Sequence, residues 1–532
     1  MTVMKKRIIL YTAALLGVIS AFTSCDKFLD TMPDNRAEVN SVEKVAALMG
    51  DAYSRTDYMM VTELLADNMD NNKAVVTSYA DRFFEQVWNW EDVTESNNES
   101  PENIWQNNWG SIAAANQVLD AIKEMGGKEN EKLAPYYGEA LMARAYAHFI
   151  LVNIFCLNYN TKTSSTDPGI PYMDQPEQGL MPQYERSNVA EVYRRIDEDI
   201  QEGLKYVTDQ YSVPKFHFNV QAAYAFATRF YLYYEKWDKA LEYANRCLGP
   251  VPALRDYDEL NLYPSKATAS AAYVRSDMKS NLLIQTGASN QGLMWGNYSG
   301  SWKHFGHTTN LALTETIFGR LPWLGENESF SASRYRFQPK NYSSSRLRYT
   351  IFWNVPYEFE VTNPVAGTGY RRTLYPAFTT DACLLDRAEA KIMLRDFDGA
   401  CADLNLWSSN MYTTPVNVTP EQVTEFYKNM DYYEWYEPTP KKHLQPAFEI
   451  DEEGSTQECM LQYVLHSRRI ETLGFGIRWF DIKRYGITIY RRVSDGDGVI
   501  SSISDELKPD DLRRAVQIPL RVRDAGFEAN KR

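Results

Sequence analysis

Apolar residues recur along much of the chain at the spacing of α-helices, so the sequence predicts a mainly helical protein. The clearest case is residues 137–155, where apolar positions return every three or four residues, as they do on one side of a helix packed against a core. These positions are Leu141, Ala145, His148, Phe149 and Val152. Residues 42–55, 103–125 and 188–207 predict further helices, the last with Asn188 at its start, where the side chain can cap free N–H groups.

Two segments repeat one helix–turn–helix pattern. Residues 234–244 and 394–404 each follow a predicted helix and place an aromatic residue, an aspartate and an alanine at the same spacing. These residues are Trp237, Asp238 and Ala240 in the first segment and Phe397, Asp398 and Ala400 in the second. The pattern resembles the tetratricopeptide helix hairpin, although the period of about 34 residues is not kept. Two coincidental helix pairs are the alternative.

The pattern changes over residues 250–380. Glycine, serine, asparagine, tyrosine and tryptophan dominate there, and long helical stripes are missing. Short apolar pieces such as residues 280–286 favour strands. Because the aromatic content is too high for a disordered linker, we expect a loop-rich, partly β insertion that packs on the helices.

The first residues have the pattern of an export signal. Basic residues at positions 5–7 precede an uncharged, mostly apolar run over residues 8–22, which is shorter than the roughly 20 residues that a membrane-spanning helix needs. Two small residues and then Cys25 follow. This resembles a lipobox, although Phe22 stands where leucine is usual. We therefore predict that residues 1–24 are removed, that Cys25 carries lipid holding the protein at a membrane, and that residues 25–40 form a tether. An ordinary signal peptide is the alternative.

Charge and cysteine usage exclude several classes of protein. The net charge of −14 argues against binding nucleic acid, whose phosphates need a basic surface, and against docking on anionic lipid headgroups. Five further cysteines show no C-x-x-C spacing: Cys156, Cys247, Cys383, Cys401 and Cys459. Most lie in apolar helical patterns, so we expect buried free thiols, with one or two disulfides as the alternative.

Residues 468–486 carry the most specific motif of the chain. The motif consists of Arg468, Arg469, Glu471, Gly474, Gly476, Arg478, Trp479, Phe480, Asp481, Lys483, Arg484 and Gly486. It resembles the C-terminal signature of the SusD/RagB family, the outer-membrane nutrient-binding lipoproteins of the Bacteroidetes, but has Phe475 where glutamate is usual. Residues 25–30, 138–145 and 517–530 and the two hairpins are similar to the family in the same order.

The residue types of this signature favour a structural role. Arg478 and Asp481 stand three positions apart and can pair on a helix, as can Glu471 with neighbouring bases. Trp479 and Phe480 would each bury a large area. We therefore expect a cluster that holds the fold, with ligand contact as the alternative.

The family resemblance implies a fold, a partner and a function. The fold is mainly α, with about four tetratricopeptide-like helix pairs in one body that comprises an N-terminal helical part (41–249), the insertion (250–380) and a C-terminal helical part (381–532). The partner is a SusC-like TonB-dependent transporter, over which the lipid-anchored protein sits at the cell surface of the outer membrane. The implied function is capture of oligosaccharide and its delivery to the transporter, without catalysis and without a cofactor.

Two stretches outside the predicted helices have the residue types that sugars require. A sugar ring offers an apolar C–H face to aromatic rings and hydroxyl groups to amides and carboxylates. The first stretch contains Asp67, Asn68, Tyr79, Trp88, Trp90, Asn97 and Asn98, and the second contains Trp295, Asn297, Tyr298, Trp302, His304 and Phe305. We predict ligand contact for eight of these residues: Asp67, Asn68, Tyr79, Trp88, Trp90, Trp295, Tyr298 and Trp302. The alternative is that the rings fix the loops to the helical layer.

Other chemistry has little support in the sequence. His304 and His307 could offer two metal nitrogens, but no third ligand stands at a suitable spacing, so no metal site is predicted. Phosphate-binding and nucleophile motifs are missing from the sequence, and no pair of carboxylates stands out as catalytic. The alternatives to glycan capture are binding of peptides or other nutrients, a glycoside hydrolase, and an assembly protein that binds another protein through its hairpins.

Overall fold

Helices form most of the regular structure in the computed structural model, which describes residues 39–71, 81–177, 184–297, 304–324, 331–343, 348–494 and 500–532. The helices are α1 Val42–Met49, α2 Met59–Leu65, α3 Asp81–Trp88, α4 Pro101–Glu124, α5 Ala134–Phe155, α6 Val189–Gly203, α7 Val220–Tyr233, α8 Trp237–Leu248, α9 Tyr257–Leu260, α10 Lys266–Tyr273, α11 Gln291–Met294, α12 Thr309–Thr314, α13 Thr380–Met393, α14 Phe397–Met411, α15 Pro420–Lys428, α16 Thr456–Glu471, α17 Arg478–Arg484 and α18 Leu520–Asp524. The strands are β1 Asp70–Asn71, β2 Asn281–Ala288, β3 Phe305–Gly306, β4 Lys340–Ser343, β5 Arg348–Ile351, β6 Glu358–Asn363, β7 Thr368–Thr379, β8 Ile489–Ser494 and β9 Ile500–Leu507.

The helices predicted from periodicity are present, although the one predicted over residues 42–55 ends at Met49 and is followed by a 3-10 turn over Gly50–Ala52. α4, α5 and α6 lie at the predicted places, and Asn188 caps α6 by accepting a hydrogen bond from the N–H of Glu191 at 2.8 Å. The single stripe predicted for α5 is too narrow, because every residue from Gly138 to Phe155 is buried. α5 packs against both α4 and α6, which leaves no solvent-facing side over that range.

The two repeated segments form the same helix hairpin. α7 leads into α8, and α13 into α14, through a short turn in which Glu235 or Arg395 has a positive φ of 58° or 66°. The N–H of each of these residues donates a hydrogen bond back to the preceding helix. Ala240 and Ala400 are fully buried, so their small side chains allow the two helices of each hairpin to approach closely.

Paired helices build the body of the protein. α4 packs against α5, α7 against α8, α13 against α14, and α15 against α16. α8 also contacts α13, so the two repeated hairpins stack on each other, and α13 contacts α16. The mainly α, tetratricopeptide-like fold class is confirmed.

Short strands characterise the middle of the chain. In a three-stranded sheet β7 lies between β2 and β6 and pairs antiparallel with both. The strand predicted at residues 280–286 is β2, and β4 pairs antiparallel with β5. The partly β character expected of this region is therefore present.

A four-stranded sheet joins distant parts of the chain in the order β3-β1-β8-β9. β1 pairs antiparallel with β3, where Asp70 lies opposite Gly306, and parallel with β8, where Asn71 lies opposite Val493. Segments from near the start, the middle and the end of the chain thus meet at β1.

The cysteines agree with the predicted absence of a disulfide framework. The five cysteines from Cys156 to Cys459 are free and buried, which confirms the expectation of buried thiols. Within the described ranges, none of the helices has the length and apolar character needed to cross a membrane. Residues 42–532 form one compact unit, and the boundaries predicted at residues 249 and 380 stay predictions.

Replacing Ala400 by leucine should lower the free energy of unfolding by about 1–3 kcal/mol, because added methylenes in a packed helix contact force side chains and backbone apart. Ala402 is exposed on the same helix, so Ala402→Leu is the matched control and should change stability by less than about 0.5 kcal/mol. Urea unfolding of both variants measures the difference. Equal effects at the two positions would contradict the close approach of α13 and α14.

Candidate ligand-binding site

Pairing of β1 with β3 brings the two predicted ligand-binding stretches side by side. Next to this pairing, Nδ1 of His307 lies 2.9 Å from the carbonyl oxygen of Asn68, a residue 239 positions away in sequence. The rings of Trp88 and Phe305 also meet, with centroids 5.2 Å apart. The structure therefore brings described residues of both stretches into one region.

Asp67 and Asn68 are engaged inside the protein. Asp67 accepts hydrogen bonds from Nε and Nη2 of Arg478 at 2.8 Å, and Nη2 of Arg469 lies 3.3 Å from its Oδ1. Burial acts to raise the pKa of Asp67, but Arg469 and Arg478 outweigh burial and hold this pKa well below its usual value. Asn68 is fully buried, donates to Glu63 and accepts from Arg469, both at 2.8 Å. Both side chains therefore hold the fold in this structure instead of facing a ligand.

Trp88 and Trp90 are each 2% exposed and lie against one arginine. Their indole N–H groups donate to backbone carbonyls at 3.1 and 3.0 Å. The guanidinium of Arg491 lies 4.8 Å from the ring centroid of Trp88 and 3.8 Å from that of Trp90. Arg491 also donates to the carbonyl groups of residues 64–66 at the end of α2. The two rings and the arginine thus fix the C-terminal end of α2.

Trp295 is enclosed in the same way. It is 3% exposed, and its indole N–H donates to the carbonyl oxygen of Phe305 at 3.1 Å. Its ring lies between those of Phe84 and Phe352, with centroid distances of 6.0 and 6.1 Å. No broad face of Trp295 is left for a sugar in this arrangement.

The predicted set therefore divides into two groups. Its described members are Asp67, Asn68, Trp88, Trp90 and Trp295: the three rings are buried as the alternative role of fixing the loops requires, and Asp67 and Asn68 are held by arginines. Tyr79, Tyr298 and Trp302 lie outside the described residues, as does Cys25. Ligand contact and lipidation at these four positions stay predictions.

The exposed side of the region presents Glu85 and His304. Their side chains are 51% and 23% exposed, and Nδ1 of His304 lies 3.9 Å from Oε1 of Glu85. The imidazole of His304 stacks on Phe305 at a centroid distance of 4.4 Å. An aromatic layer thus carries polar groups that can exchange hydrogen bonds with hydroxyl groups.

His304 and His307 are not placed as a pair of free metal-binding nitrogens. Both ring nitrogens of His307 are engaged, Nδ1 with Asn68 and Nε2 with the hydroxyl of Thr316 at 2.8 Å. Burial lowers the pKa of His307 to about 4. Across the part of the chain that the structure describes, no three His, Cys, Asp or Glu side chains are grouped to hold a metal ion.

A cluster of buried charges lies beneath β1. Glu315 accepts hydrogen bonds from Arg492 and Lys442 at 2.7 Å and from Arg469 at 3.3 Å, and Arg492 also pairs with Asp70 at 2.9 Å. Burial acts to raise the pKa of Glu315, but the three cations lower it to about 2. Burial lowers the pKa of Lys442 to about 7 in spite of Glu315. Through the ion pair of Arg492 with Asp70, the cluster holds strand β1 in place.

A cavity of about 380 Å³ lies elsewhere on the body, between α4, residues 171–177 and residues 522–527. Trp105 and Trp109 line it. The sequence pattern places Trp105 on the apolar stripe of α4 and assigns no role to Trp109. Phe527, which forms the opposite wall, comes from the far end of the chain, so no local pattern indicates the cavity.

Comparison with known families and structures relates this architecture to proteins of the Bacteroidetes. The SusD-like family model described as "Starch-binding associating with outer membrane" matches residues 27–232. A SusD superfamily protein from Bacteroides thetaiotaomicron is 16% identical, with a TM-score of 0.62 over 92% of this chain and 100% of that chain. Residues 27–232 are thus similar to the SusD-like family, and the chain shares the fold of SusD superfamily structures. Both findings support the resemblance to the SusD/RagB family that the C-terminal signature indicates.

Two further structures with this fold are of proteins described as sugar or carbohydrate binding. A putative sugar binding protein from Bacteroides vulgatus is 17% identical, with a TM-score of 0.63 over 93% of this chain and 99% of that chain. A SusD-like carbohydrate binding protein from the same species is 14% identical, with a TM-score of 0.61 over 91% and 96%. No curated protein sequence matches the chain.

The SusD signature forms a buried centre in the C-terminal part. Its residues Arg478–Arg484 make up α17 and are all buried, which confirms the predicted fold-holding role. The predicted pair of Arg478 with Asp481 is wrong, because Arg478 binds Asp67 while Asp481 accepts from Arg468 at 3.0 Å. Sequence spacing along one helix does not reveal partners that come from other elements.

Glu471 also differs from the expectation of pairing with a base. Its Oε2 accepts a hydrogen bond from the indole N–H of Trp407 at 2.9 Å. Burial, together with the charge of Asp381, raises the pKa of Glu471 to about 8. This SusD signature residue therefore acts as a buried hydrogen-bonding group.

Phe475 replaces the glutamate of the usual SusD pattern, and a carboxylate from another helix reaches the same loop. Glu63 on α2 accepts from the N–H groups of Gly474 and Gly476 at 2.9 and 2.8 Å. Gly476 has a φ of 74°, and a Cβ there would lie 2.0 Å from Oγ1 of Thr62, so only glycine fits. Burial raises the pKa of Glu63 to about 7.

The variant Glu63→Gln should remove one source of pH dependence in stability. The folded-state pKa of Glu63, about 7, lies above the ordinary value of 4.5. Its stabilising contribution is therefore fully present below pH 4.5 and is lost as pH rises through about 7. Glutamine keeps an acceptor for both glycines and does not titrate, and its NH₂ group replaces the oxygen that accepts from Asn68, which lowers stability by the same amount at every pH. Urea unfolding across this range should show wild-type stability falling relative to the variant, and parallel curves would contradict the buried, protonated carboxyl.

Proposed function

We propose that this SusD-family chain is a surface lipoprotein that captures oligosaccharide and passes it to a SusC-like TonB-dependent transporter without transforming it chemically. The pairing of β1 with β3 carries the proposal, because it joins the two stretches in which the sequence concentrates sugar-binding residue types. In sequence, Tyr79 stands just before α3, and Tyr298 and Trp302 stand just before β3. We assign the ligand-stacking role to these three rings.

A site at the paired stretches would combine aromatic rings with exposed polar groups, both held in place by buried contacts. Glu85 and His304 are accessible and can bind sugar hydroxyls. The buried rings and ion pairs below them are already fixed, which reduces the ordering cost of binding. Relatives described as sugar or carbohydrate binding share the fold, and this supports a carbohydrate as the ligand.

The use of the neighbouring carboxylates supports a non-catalytic role. Asp67, Asp70 and Glu315 are all committed to buried ion pairs with arginine or lysine. A glycosidase needs two available carboxyl groups on opposite sides of the scissile bond. Glu85 is accessible, and its substitution tests whether it serves as one of them.

The proposed location is the outer membrane, with lipid on Cys25 and the body on the cell surface. The matched family is described as associating with the outer membrane. Acyl chains stabilise such an anchor by roughly 0.8 kcal/mol per buried CH₂. A lipid-held binder beside a transporter raises the local concentration of ligand at the entrance of the transporter.

Purified protein without its signal peptide should bind oligosaccharides on a glycan array, with a binding free energy on the order of −4 to −7 kcal/mol. Trp302→Ala and Tyr298→Ala should each weaken binding by about 3- to 10-fold, because each removes roughly 1 kcal/mol of ring contact, and should leave unfolding unchanged. Trp295→Ala is the contrasting variant, since loss of its buried ring should lower stability by about 3–5 kcal/mol.

Three results would contradict this assignment. Unchanged affinity in the double variant Tyr298→Ala/Trp302→Ala would show that the ligand does not bind at these stretches. Preference for a peptide library over glycans would favour another nutrient. Turnover of a bound oligosaccharide that disappears in Glu85→Gln would make the protein a hydrolase.

Expressed in a Bacteroidetes host, the protein should incorporate labelled palmitate and remain with the outer membrane, because several acyl chains bind membranes stably. In mild detergent it should co-purify with a TonB-dependent transporter. Cys25→Ser should lose the label and leave the membrane fraction, with Cys247→Ser as the matched control at a buried thiol. Labelling that persists in Cys25→Ser would exclude this lipidation site, and purification without a transporter would argue against the proposed partner.

A further inference from the structure

Two of the five buried cysteines are neighbours across a contact between two helices. Cys247 lies in the last turn of α8 and Cys383 in the first turn of α13, and α8 packs against α13. The thiols of Cys247 and Cys383 hydrogen-bond to each other. The two residues are 0% and 2% exposed, so this cysteine pair lies in the interior of the protein.

Contacts on both sides of the cysteine pair hold the two helix ends together. On one side, Nη1 of Arg387 on α13 donates to Oδ1 of Asn245 on α8 at 3.3 Å. On the other side, Oγ1 of Thr380, the first residue of α13, donates to the carbonyl oxygen of Ala253 at 2.7 Å. The cysteine pair lies in sequence between these two contacts, so its position is fixed from both directions.

The other three buried cysteines are engaged elsewhere. Sγ of Cys156 lies 4.0 Å from Nη2 of Arg186, and the thiol of Cys401 donates to the carbonyl oxygen of Val418 at 3.0 Å. Sγ of Cys459 lies 3.6 Å from the carboxylate of the residue before it. The contacts of the five thiols therefore single out Cys247 and Cys383 as the two that can react with each other.

The cysteine pair stands at the base of the middle insertion. Residues 250–380 begin three positions after Cys247 and end three positions before Cys383, and they contain the strands from β2 to β7. A covalent bond between the two sulfurs would therefore enclose the whole insertion in one closed loop of the chain. Such a crosslink stabilises a fold chiefly because it restricts the unfolded chain, and a long loop gains most in this account.

The surroundings of the cysteine pair determine when a bond between the sulfurs can form. The hydrogen bond with Cys247, together with burial, raises the pKa of the Cys383 thiol well above its usual value. The thiolate is the nucleophile in thiol–disulfide exchange, so Cys383 reacts poorly once the helices have packed. We therefore expect the bond to form during folding, while both thiols are accessible, and to resist reductants afterwards.

We propose that Cys247 and Cys383 form a disulfide when the chain folds in the presence of a donor disulfide, and that this bond closes the base of the insertion. Both thiols are free in the structure, which is the reduced form. Disulfides persist outside the cytoplasm, and the export proposed from the first residues of the chain would bring the protein there.

The reaction is an exchange in two steps. The thiolate of one cysteine attacks the donor disulfide and displaces one donor thiolate, which leaves a mixed disulfide between the protein and the donor. The thiolate of the other cysteine attacks the protein sulfur of this intermediate and displaces the second donor thiolate. The two protein thiols are thereby oxidised to a disulfide, and the donor is reduced to two thiols that take up the two protons.

The test refolds the protein without its signal peptide from urea, in a Cys25→Ser background, with either oxidised or reduced glutathione. Free thiols are then alkylated in denaturant, and the digested protein is analysed by mass spectrometry. Oxidised glutathione should give linked peptides of Cys247 and Cys383 and three alkylated cysteines, whereas reduced glutathione should leave all five alkylated. Protein that is already folded and reduced should acquire the bond at least about tenfold more slowly than the refolding chain, because its thiols are buried.

Variants in the same background separate this bond from other effects of oxidation. Cys247→Ser and Cys383→Ser should each form no disulfide, whereas Cys401→Ser, the matched control at another buried thiol, should form the bond as the parent does. In urea unfolding, the oxidised parent should have an unfolding equilibrium constant at least about tenfold smaller than the reduced parent. Cys247→Ser should show no such difference.

Circular dichroism establishes that each variant is folded, and Cys247→Ser and Cys383→Ser are independent readouts if one of them is not. Three results with the parent protein itself would overturn the proposal. These are five free thiols after refolding with oxidised glutathione, a disulfide between any other two cysteines, and equal stability of the oxidised and reduced forms in urea.

Discussion

The buried ion pair between Arg478 and Asp67 joins helix α17, in the C-terminal part of the chain, to the segment that follows helix α2 in the N-terminal part. It joins residues 411 positions apart through two hydrogen bonds of 2.8 Å, and the two side chains are only 3% and 12% exposed. Leaving either charge without its partner would cost about 3–5 kcal/mol. The signature helix α17 therefore stays against the end of α2, and β1, which follows α2 closely, is held where β3 and β8 pair with it.

The same constraint explains why the predicted rings of the first stretch are buried. Because Asp67 must face inward to meet Arg478, the segment around it lies in the interior, and its carbonyl groups need donors there. Trp88, Trp90 and Arg491 supply these donors. The indole rings of Trp88 and Trp90 pack beside the buried charged groups, and the guanidinium of Arg491 stacks against both rings. Their role in the fold follows from the satisfaction of polar groups that would otherwise be buried alone.

The sequence predicts the features that depend on local pattern. Helix periodicity, the cap at Asn188 and the repeated hairpins with buried Ala240 and Ala400 belong to this class, and the signature indicates the resemblance to the SusD/RagB family. The partners of Arg478 and Glu471 are not predictable in this way, because they come from elements hundreds or tens of positions away. An aromatic ring in a loop has the same sequence signal whether it ends up inside or outside, so the sequence alone does not show that Trp88, Trp90 and Trp295 are buried.

The buried rings limit how a glycan can be held. Exposing Trp88 or Trp295 would return an apolar ring to water, at roughly 2–3 kcal/mol, and would leave a buried carbonyl without its donor, at about 1–3 kcal/mol more. A binding free energy on the order of −4 to −7 kcal/mol cannot offset this for both rings. In the proposed function, ligand contact therefore comes from groups already at the surface, such as His304, which stacks on Phe305 above Trp88. The buried rings then act on affinity indirectly, by holding that surface rigid.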